Sequence, residues 1–203
     1  MILKTERLIL RPWRETDAEC LYHFAKNPKI GPIAGWPPHK NVEESKEIIK
    51  TVFSKKETYA ITIDDMAIGS VGLLFYPNTN HYWKDKGTEL GYWIGEEYWG
   101  QGLVVEACEE VLKHAFEDLG VDKFYASFRI ENHQSKRVLE KLGFEYYCDM
   151  ENTDYSGNET HEIAMFLKKE QTKNTIKKKI EQIKNKKKYT KIKNKIRKIK
   201  RKN

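Results

Sequence analysis

Cysteine is scarce: Cys20, Cys108 and Cys148 are the only three in 203 residues. They lie too far apart for a disulfide framework or a CxxC ligand pair. No apolar run reaches the ~18 residues of a membrane span; the longest, Ile68 to Tyr76, is interrupted by Gly and Ser. The opening MILKTER has no basic patch followed by an apolar stretch, so no secretory leader is expected. The six histidines never fall in HxH or HxxxH spacing, and no metal site is expected. Together these absences predict a reducing, cytoplasmic setting and no membrane partner.

Charge is abundant and unevenly placed. The formal net charge is +7, from 37 Lys and Arg against 30 Asp and Glu. Residues 172–203 alone hold sixteen Lys and Arg against Glu181, a segment of +15. The other 171 residues keep 21 basic and 29 acidic side chains, a net of −8. The composition therefore divides the chain into a domain over 1–171 and a Lys/Ile/Asn-rich tail over 172–203. In the tail, isoleucines recur at helical spacing, but like charges at i,i+4 oppose an isolated helix. It is expected to be disordered or conditionally helical. A domain of this size buries about 70% of its unfolded surface, ample for a core.

Periodicity orders the elements. Thr5 to Pro12 reads as a strand ended by proline. Thr16 is the expected cap of a helix carrying Leu21, Phe24 and Ala25, and Asn41 that of a second helix running to Lys55. Tyr59–Ile63, Ala67–Tyr76 and Gly87–Ile94 read as strands, with Asp64-Asp65 and Pro77 to Asn80 as turns. After Ile94 the period changes from two to 3.6. Leu103, Ala107, Val111, Leu112, Ala115, Phe116 and Leu119 make one helical face, closed by Gly120. A strand over 123–130, a helix from Asn132 to Gly143, and strands over 145–150 and 161–167 follow. The order β-α-α-β-β-β-α-β-α-β-β predicts an α/β mixed sheet with helices on both faces, and the antiparallel meander argues against an all-parallel nucleotide fold.

The most informative stretch is IGEEYWGQGLVVEA, residues 94–107. A strand ends, a short loop holds Gly100 and Gly102, and an amphipathic helix begins. Such a turn presents unpaired N–H groups and a positive dipole end to an anion, a diphosphate being the natural guest. A tight strand–helix turn without a ligand fits the same residues.

Four features narrow this: TERLILRPWRETDAE, GTELGYWIGEEYWGQGLVVEA, ENHQSKRVLEKLGFE and the strand order. With them the chain from Thr5 to Leu167 resembles the GNAT superfamily of acyl-CoA-dependent N-acyltransferases, in particular its ribosomal-protein N-acetyltransferase (RimJ/RimL-like) branch. The resemblance implies a mostly antiparallel central sheet with a V-shaped opening between the fourth and fifth strands, where acetyl-CoA lies. Backbone groups of Trp93 and Ile94 would pair with the pantetheine arm. Trp99, Gly100, Gln101, Gly102, Leu103 and Val104 would hold the pyrophosphate, and Asn132 would contact the CoA arm. The superfamily pattern Q/R-x-x-G-x-G/A is departed from at Trp99 and Val104.

Acetyl transfer to an amine requires a neutral amine, a polarised thioester carbonyl and a proton for the thiolate. Glu89 is the candidate proton acceptor, directly or through water; a cross-sheet ion pair is the alternative reading of the same residue. A backbone N–H near Ile94 would polarise the carbonyl. Many superfamily members supply the thiolate proton from a tyrosine, but Leu139 stands at that place. The resemblance instead points to Ser135, although Asn132 and Ser135 also suit a helix cap and its first-turn neighbour. Cys108 and Cys148 fit core positions better than nucleophiles. Trp36 and the aromatics of 76–83 are candidates for lining the acceptor site.

The predicted function is acetyl transfer from acetyl-CoA to a primary amine in a ternary complex, most like ribosomal-protein N-terminal acetylation, by a monomer or homodimer. A small-molecule amine such as a polyamine, amino acid or antibiotic is the alternative acceptor. A dinucleotide oxidoreductase is disfavoured, because a third glycine would be due where Val105 stands and the GxG comes late in the chain. A non-catalytic RNA- or ribosome-binding module using the tail is the reading of another class.

Overall fold

A computed structural model describes residues 1–168; the tail expected over 172–203 lies outside the described residues. Twelve regular elements follow in chain order. They are β1 (Leu3–Lys4), β2 (Ile9–Arg11), α1 (Ala18–Ala25), α2 (Val42–Thr51), β3 (Thr58–Ile63), β4 (Met66–Leu74), β5 (Thr88–Ile94), α3 (Leu103–Glu117), β6 (Lys123–Arg129), α4 (His133–Leu142), β7 (Glu145–Thr153) and β8 (Glu159–Lys168). The eight strands form one sheet in the order β1-β2-β3-β4-β5-β6-β8-β7. The mixed α/β class and the element order read from periodicity hold, with β1 as an additional short strand.

Local chemistry explains most boundaries. Asp64 and Asp65 both take positive φ, 49° and 64°, in the two-residue turn between β3 and β4, a conformation that short polar side chains tolerate. Asn41 caps α2 by accepting from the Glu44 N–H at 2.8 Å. Asn132 caps α4 in the same way through Ser135 N–H at 3.0 Å. Strand ends shift by a few residues, and two helix boundaries differ from expectation for causes the structure shows. Asp17, not Thr16, starts α1, because Asp17 is buried in a bidentate pair with Arg11 at 2.7 and 2.8 Å and also accepts from Arg14 N–H. A long-range charge-assisted pair here outweighs a hydroxyl cap. Helix α2 stops at Thr51 instead of Lys55; Val52 is exposed, and Phe53 leaves the helix to stack on Trp13 at 4.8 Å.

Helices cover both faces. Leu103, Ala107, Val111, Leu112 and Ala115 of α3, with Leu139 and Leu142 of α4, pack on Tyr59, Ile61, Val71, Leu73, Leu90 and Ile94. On the opposite face Ala18, Leu21, Phe24 and Ala25 of α1 and Ile49 of α2 meet Trp13, Ala60, Ala67 and Trp93. Strand alternation sends Leu90 and Ile94 to one face and Trp93 to the other. Strands β5 and β6 run parallel, paired only at Thr88–Phe124 and Glu89–Tyr125. Beyond Glu89 they separate, which opens the sheet between the strands counted fourth and fifth from the sequence.

Candidate active site

One wall of the opening is the loop from β5 to α3. Gly100 and Gly102 take φ of +73° and +77°, and Gly102 is the N-cap of α3 without a side chain to cap it. Among the described residues, no acceptor pairs with the main-chain N–H groups of Gly100 to Val105. They are the donors a helix start leaves over, concentrated by the left-handed turn. The loop is fixed from behind. Arg7 donates to Gln101 O at 3.1 Å and, through Nε, to Glu106 at 2.7 Å, while Thr5 Oγ1 donates to Glu106 at 2.5 Å. Burial opposes ionisation of Glu106, but the hydrogen bonds from Thr5 and Arg7 prevail and hold its carboxyl below the ordinary range. Thr5, Arg7 and Glu106 were not singled out as functional residues in the sequence; their role depends on contacts about a hundred residues apart.

The loop borders a cavity of about 440 Å³ whose lining includes Tyr92 to Ile94, Trp99, Gly100, Gly102 to Val105, Asn132 and Ser135. Lys29, Arg137 and Lys141 also line it, and among the described residues no carboxylate does. The donors and cations suit a polyphosphate, and the apolar remainder suits a pantetheine-like arm. Gln101 is absent from this lining; its side chain folds back to donate to Glu97 O at 2.9 Å. Trp99 ties the loop to the strand end, its indole N–H donating to Ile94 O at 3.0 Å. The carbonyl of Trp93 turns the other way, so close to β4 that a Cβ on Gly69 would come within 2.4 Å of it. Gly95 N–H also donates to Ile68 O of β4. Main-chain alternation therefore turns Tyr92 and Ile94, rather than Trp93, toward the opening.

Across the opening, Tyr92 OH lies 2.8 Å from Ser135 Oγ and 3.2 Å from Ser135 O. Burial raises the Tyr92 phenol, as does the neighbouring Cys108, whose own thiol is pushed up by complete burial. Cys108 is thus a core thiol, and Leu139 is fully buried too. Tyr92 was not picked out of the sequence as a site residue. Its signal was the GTELGYWI alternation, which puts Leu90, Tyr92 and Ile94 on one face.

A second cavity, of about 390 Å³, shares Ile33, Ala34, Tyr92, Asn132 and Ser135 with the first. Its lining adds Trp36, Asn80, His81, Glu89, Gly91, Ser127, Arg129, Asn152 and Glu162. Glu89 is only 3% exposed and accepts from Asn80 Nδ2 at 2.7 Å, Trp83 Nε1 at 3.1 Å and His81 N–H at 3.3 Å. It is not a surface residue in a cross-strand ion pair. Ser127 Oγ and Asn152 Nδ2 donate to Glu162, and His81 Nε2 lies 3.3 Å from it. The His81 hydrogen bond, aided by Ser127 and Asn152, overrides burial and brings the Glu162 carboxyl down to about 2. Burial alone would lower His81, but Glu162 and Glu89 raise it above its ordinary value. A Cβ on Gly91 would meet nothing within 4 Å, so this cavity is open where β5 passes it. Trp36 borders it with its ring 6.0 Å from Trp93.

Residues 7–145 match the model of the acetyltransferase (GNAT) domain. The N-acetyltransferase YoaA of Bacillus subtilis (strain 168), itself uncharacterized, is 28% identical over 151 residues, 71% of this chain and 82% of its own. The ribosomal-protein-serine acetyltransferase of Escherichia coli (strain K12) is 28% identical over 148 residues, 69% of this chain and 80% of its own. The crystal structure of Mycobacterium smegmatis RimJ in complex with CoA-disulfide superposes with a TM-score of 0.66 at 19% identity, covering 84% of this chain and 88% of that one. The donor-rich turn after β5, the split between β5 and β6 and the family match agree: the chain belongs to the GNAT acetyltransferases and is an acetyl-CoA-dependent N-acetyltransferase.

Proposed function

We propose that this enzyme acetylates a protein N-terminus of the ribosomal kind, by direct attack of the amine on acetyl-CoA. The observation that carries the reading is the meeting of two cavities at Tyr92 and Ser135, one rich in N–H donors and cations, the other holding a buried carboxylate. The name of the Escherichia coli relative supports the acceptor class.

In this reading the pyrophosphate rests on N–H groups of residues 100–104, not on that of Trp99, which donates to Glu96 O; the pantetheine arm lies along Tyr92 and Ile94, and Asn132 offers its side-chain Nδ2–H to that arm. The acceptor enters from the other side, past Trp36. Glu89 takes the ammonium proton, directly or through water. The nitrogen lone pair then adds to the thioester carbon while the Ile94 N–H steadies the oxygen. As the C–S bond breaks, the thiolate takes a proton from Ser135 Oγ, and the serine oxygen regains one from the nitrogen, directly or through water, as the amide forms. In this reading the single Tyr92 proton goes to Ser135 Oγ, across a contact in which either oxygen can donate, and the serine proton is then free to point at sulfur. The direct route needs no acyl-cysteine, consistent with the burial of Cys108.

Free-thiol release from acetyl-CoA, measured over a panel of peptides and amines, tests the reading. Glu89→Gln is expected to lower kcat by about 10²–10⁴-fold with acetyl-CoA binding retained. Unchanged turnover would remove Glu89 from the mechanism. The +15 tail is proposed as a separate, salt-sensitive contact with nucleic acid near the acceptor. Deleting 172–203 should leave turnover of a short peptide intact.

A further inference from the structure

The second cavity is lined by two carboxylates that each hold several donors, and beside them stands a buried donor with no partner. Glu89 already accepts from Asn80, His81 and Trp83, and Glu162 from Ser127 and Asn152 with His81 beside it. The lining residue left without a good partner is Arg129. Its Nε is buried and, among the described residues, has no hydrogen-bond partner. Its Nη2 lies 3.6 Å from Asp154 Oδ2, beyond hydrogen-bonding distance. Asp154 faces Nη2 through Oδ2 in a long ion pair, while its Oδ1 accepts from the N–H groups of Ser156 at 2.8 Å and Asn158 at 3.0 Å; neither contact reaches Nε. The Arg129 side chain is only 16% exposed. A guanidinium presents five donors in a planar fork, and leaving Nε unpaired out of contact with water is costly.

Its place on the strand gives the fork a purpose. Ser127 and Arg129 share a face of β6 by alternation, and Arg129 lies roughly 7 Å beyond Ser127 along the strand. It ends β6, and its carbonyl accepts from the N–H of Asn132, which borders both cavities. The fork thus stands near the rim where the amine must reach the thioester.

We propose that Arg129 is a specificity-determining residue that pairs with a carbonyl or carboxylate oxygen carried by the acceptor close to its amine. This deepens, and rests on, the acetyltransferase reading above. It selects α-amino acceptors, whether a peptide N-terminus or a free amino acid, and disfavours polyamines, despite the acidic balance of the domain. A polyamine would bring further cations beside a guanidinium and would leave Arg129 Nε unpaired.

The test measures free-thiol release with the full chain, acetyl-CoA and four acceptors: a serine-led tripeptide, serine, ethanolamine and putrescine. Ethanolamine is serine without its carboxylate. The better of the two oxygen-bearing acceptors should exceed both simple amines in kcat/KM by about 10–100-fold, as expected for a charge-assisted hydrogen bond. Whether the tripeptide or serine leads identifies the oxygen as amide or carboxylate. Arg129→Gln should bring the ratio toward one, Arg129→Lys should recover part of it, and neither should change calorimetric binding of acetyl-CoA. A wild type that prefers ethanolamine or putrescine would overturn the proposal, even if the variants fail to fold. So would an Arg129→Gln enzyme that loses all four acceptors by the same factor, the mark of a structural role. Absence of thiol release from every acceptor, with no heat on adding acetyl-CoA to folded protein, would remove the acetyltransferase reading and the proposal with it.

Discussion

Gly102→Ala isolates what the left-handed turn contributes to cofactor binding. Gly102 has φ +77° and ψ 3°, and a Cβ there would meet only Arg7 Nη2, at 3.8 Å. The substitution thus introduces backbone strain of about 1–2 kcal/mol without a steric clash. For a domain of this length that lowers Tm by roughly 2–8 °C. The loop can relieve the strain only by moving φ negative, which swings the donors of Leu103 and its neighbours away from the cavity. Each lost charge-assisted contact costs about 1.5–3 kcal/mol, so acetyl-CoA should bind about 10–100-fold more weakly. Gly102→Pro fixes φ near −65°, about 140° from the native value, and should abolish binding. Gly120→Ala is the control. Gly120 has φ +68° with nothing within 4 Å of a Cβ and lies outside the cavity lining. It should show the same fall in Tm with unchanged affinity. The assay is calorimetric titration with acetyl-CoA beside thermal melts. If Gly102→Ala matched the wild-type dissociation constant, or if both alanine variants weakened binding alike, the turn would not be the anion cradle.

Other outcomes follow from the same geometry. Gly91→Val adds bulk that the strand accommodates, since its Cβ meets nothing; it should raise acceptor KM at least about tenfold with acetyl-CoA binding and Tm held, as titrations and melts would show. Ser135→Ala should slow kcat by up to about 10²-fold with acetyl-CoA bound as before, and Tyr92→Phe should slow it less, because Tyr92 acts by orienting Ser135. Equal rates for Ser135→Ala and the wild type would take the serine out of the mechanism. The Glu162 carboxyl, brought to about 2 from 4.5, contributes stability present above pH 4.5 and lost as the pH falls toward 2. His81, raised above 6.5, contributes stability that is full below 6.5 and lost as the pH climbs through its folded value. The urea-midpoint difference between wild type and Glu162→Gln should therefore peak between about pH 4.5 and 6.5. A difference independent of pH would contradict the pairing.

The element order and the glycine turn before α3 were legible in the sequence because their causes are local. Apolar spacing, Asn caps at 41 and 132, the Asp64-Asp65 turn and the glycines at 100 and 102 act within a few residues. Helical periodicity also places Cys108 toward the core, whereas the absence of a tyrosine donor at Leu139 came from the family resemblance. Boundaries failed where a distant partner intervened: Arg11 drew the start of α1 to Asp17, and Trp13 received Phe53 at the end of α2.

What only the tertiary structure decided is the company each site residue keeps. From the sequence Glu89 is either a proton acceptor or a partner in a cross-sheet ion pair, and it is the folding of Asn80 and Trp83 over its carboxylate that removes the ion pair. Tyr92 and Ser135 are 43 residues apart and meet only across the opening. Likewise Arg129 is one of many charged residues until burial leaves its Nε unpaired beside the second cavity. Hydrogen-bond partners and desolvation are properties of three-dimensional neighbours, and a linear pattern carries them only where those neighbours are also close in the chain.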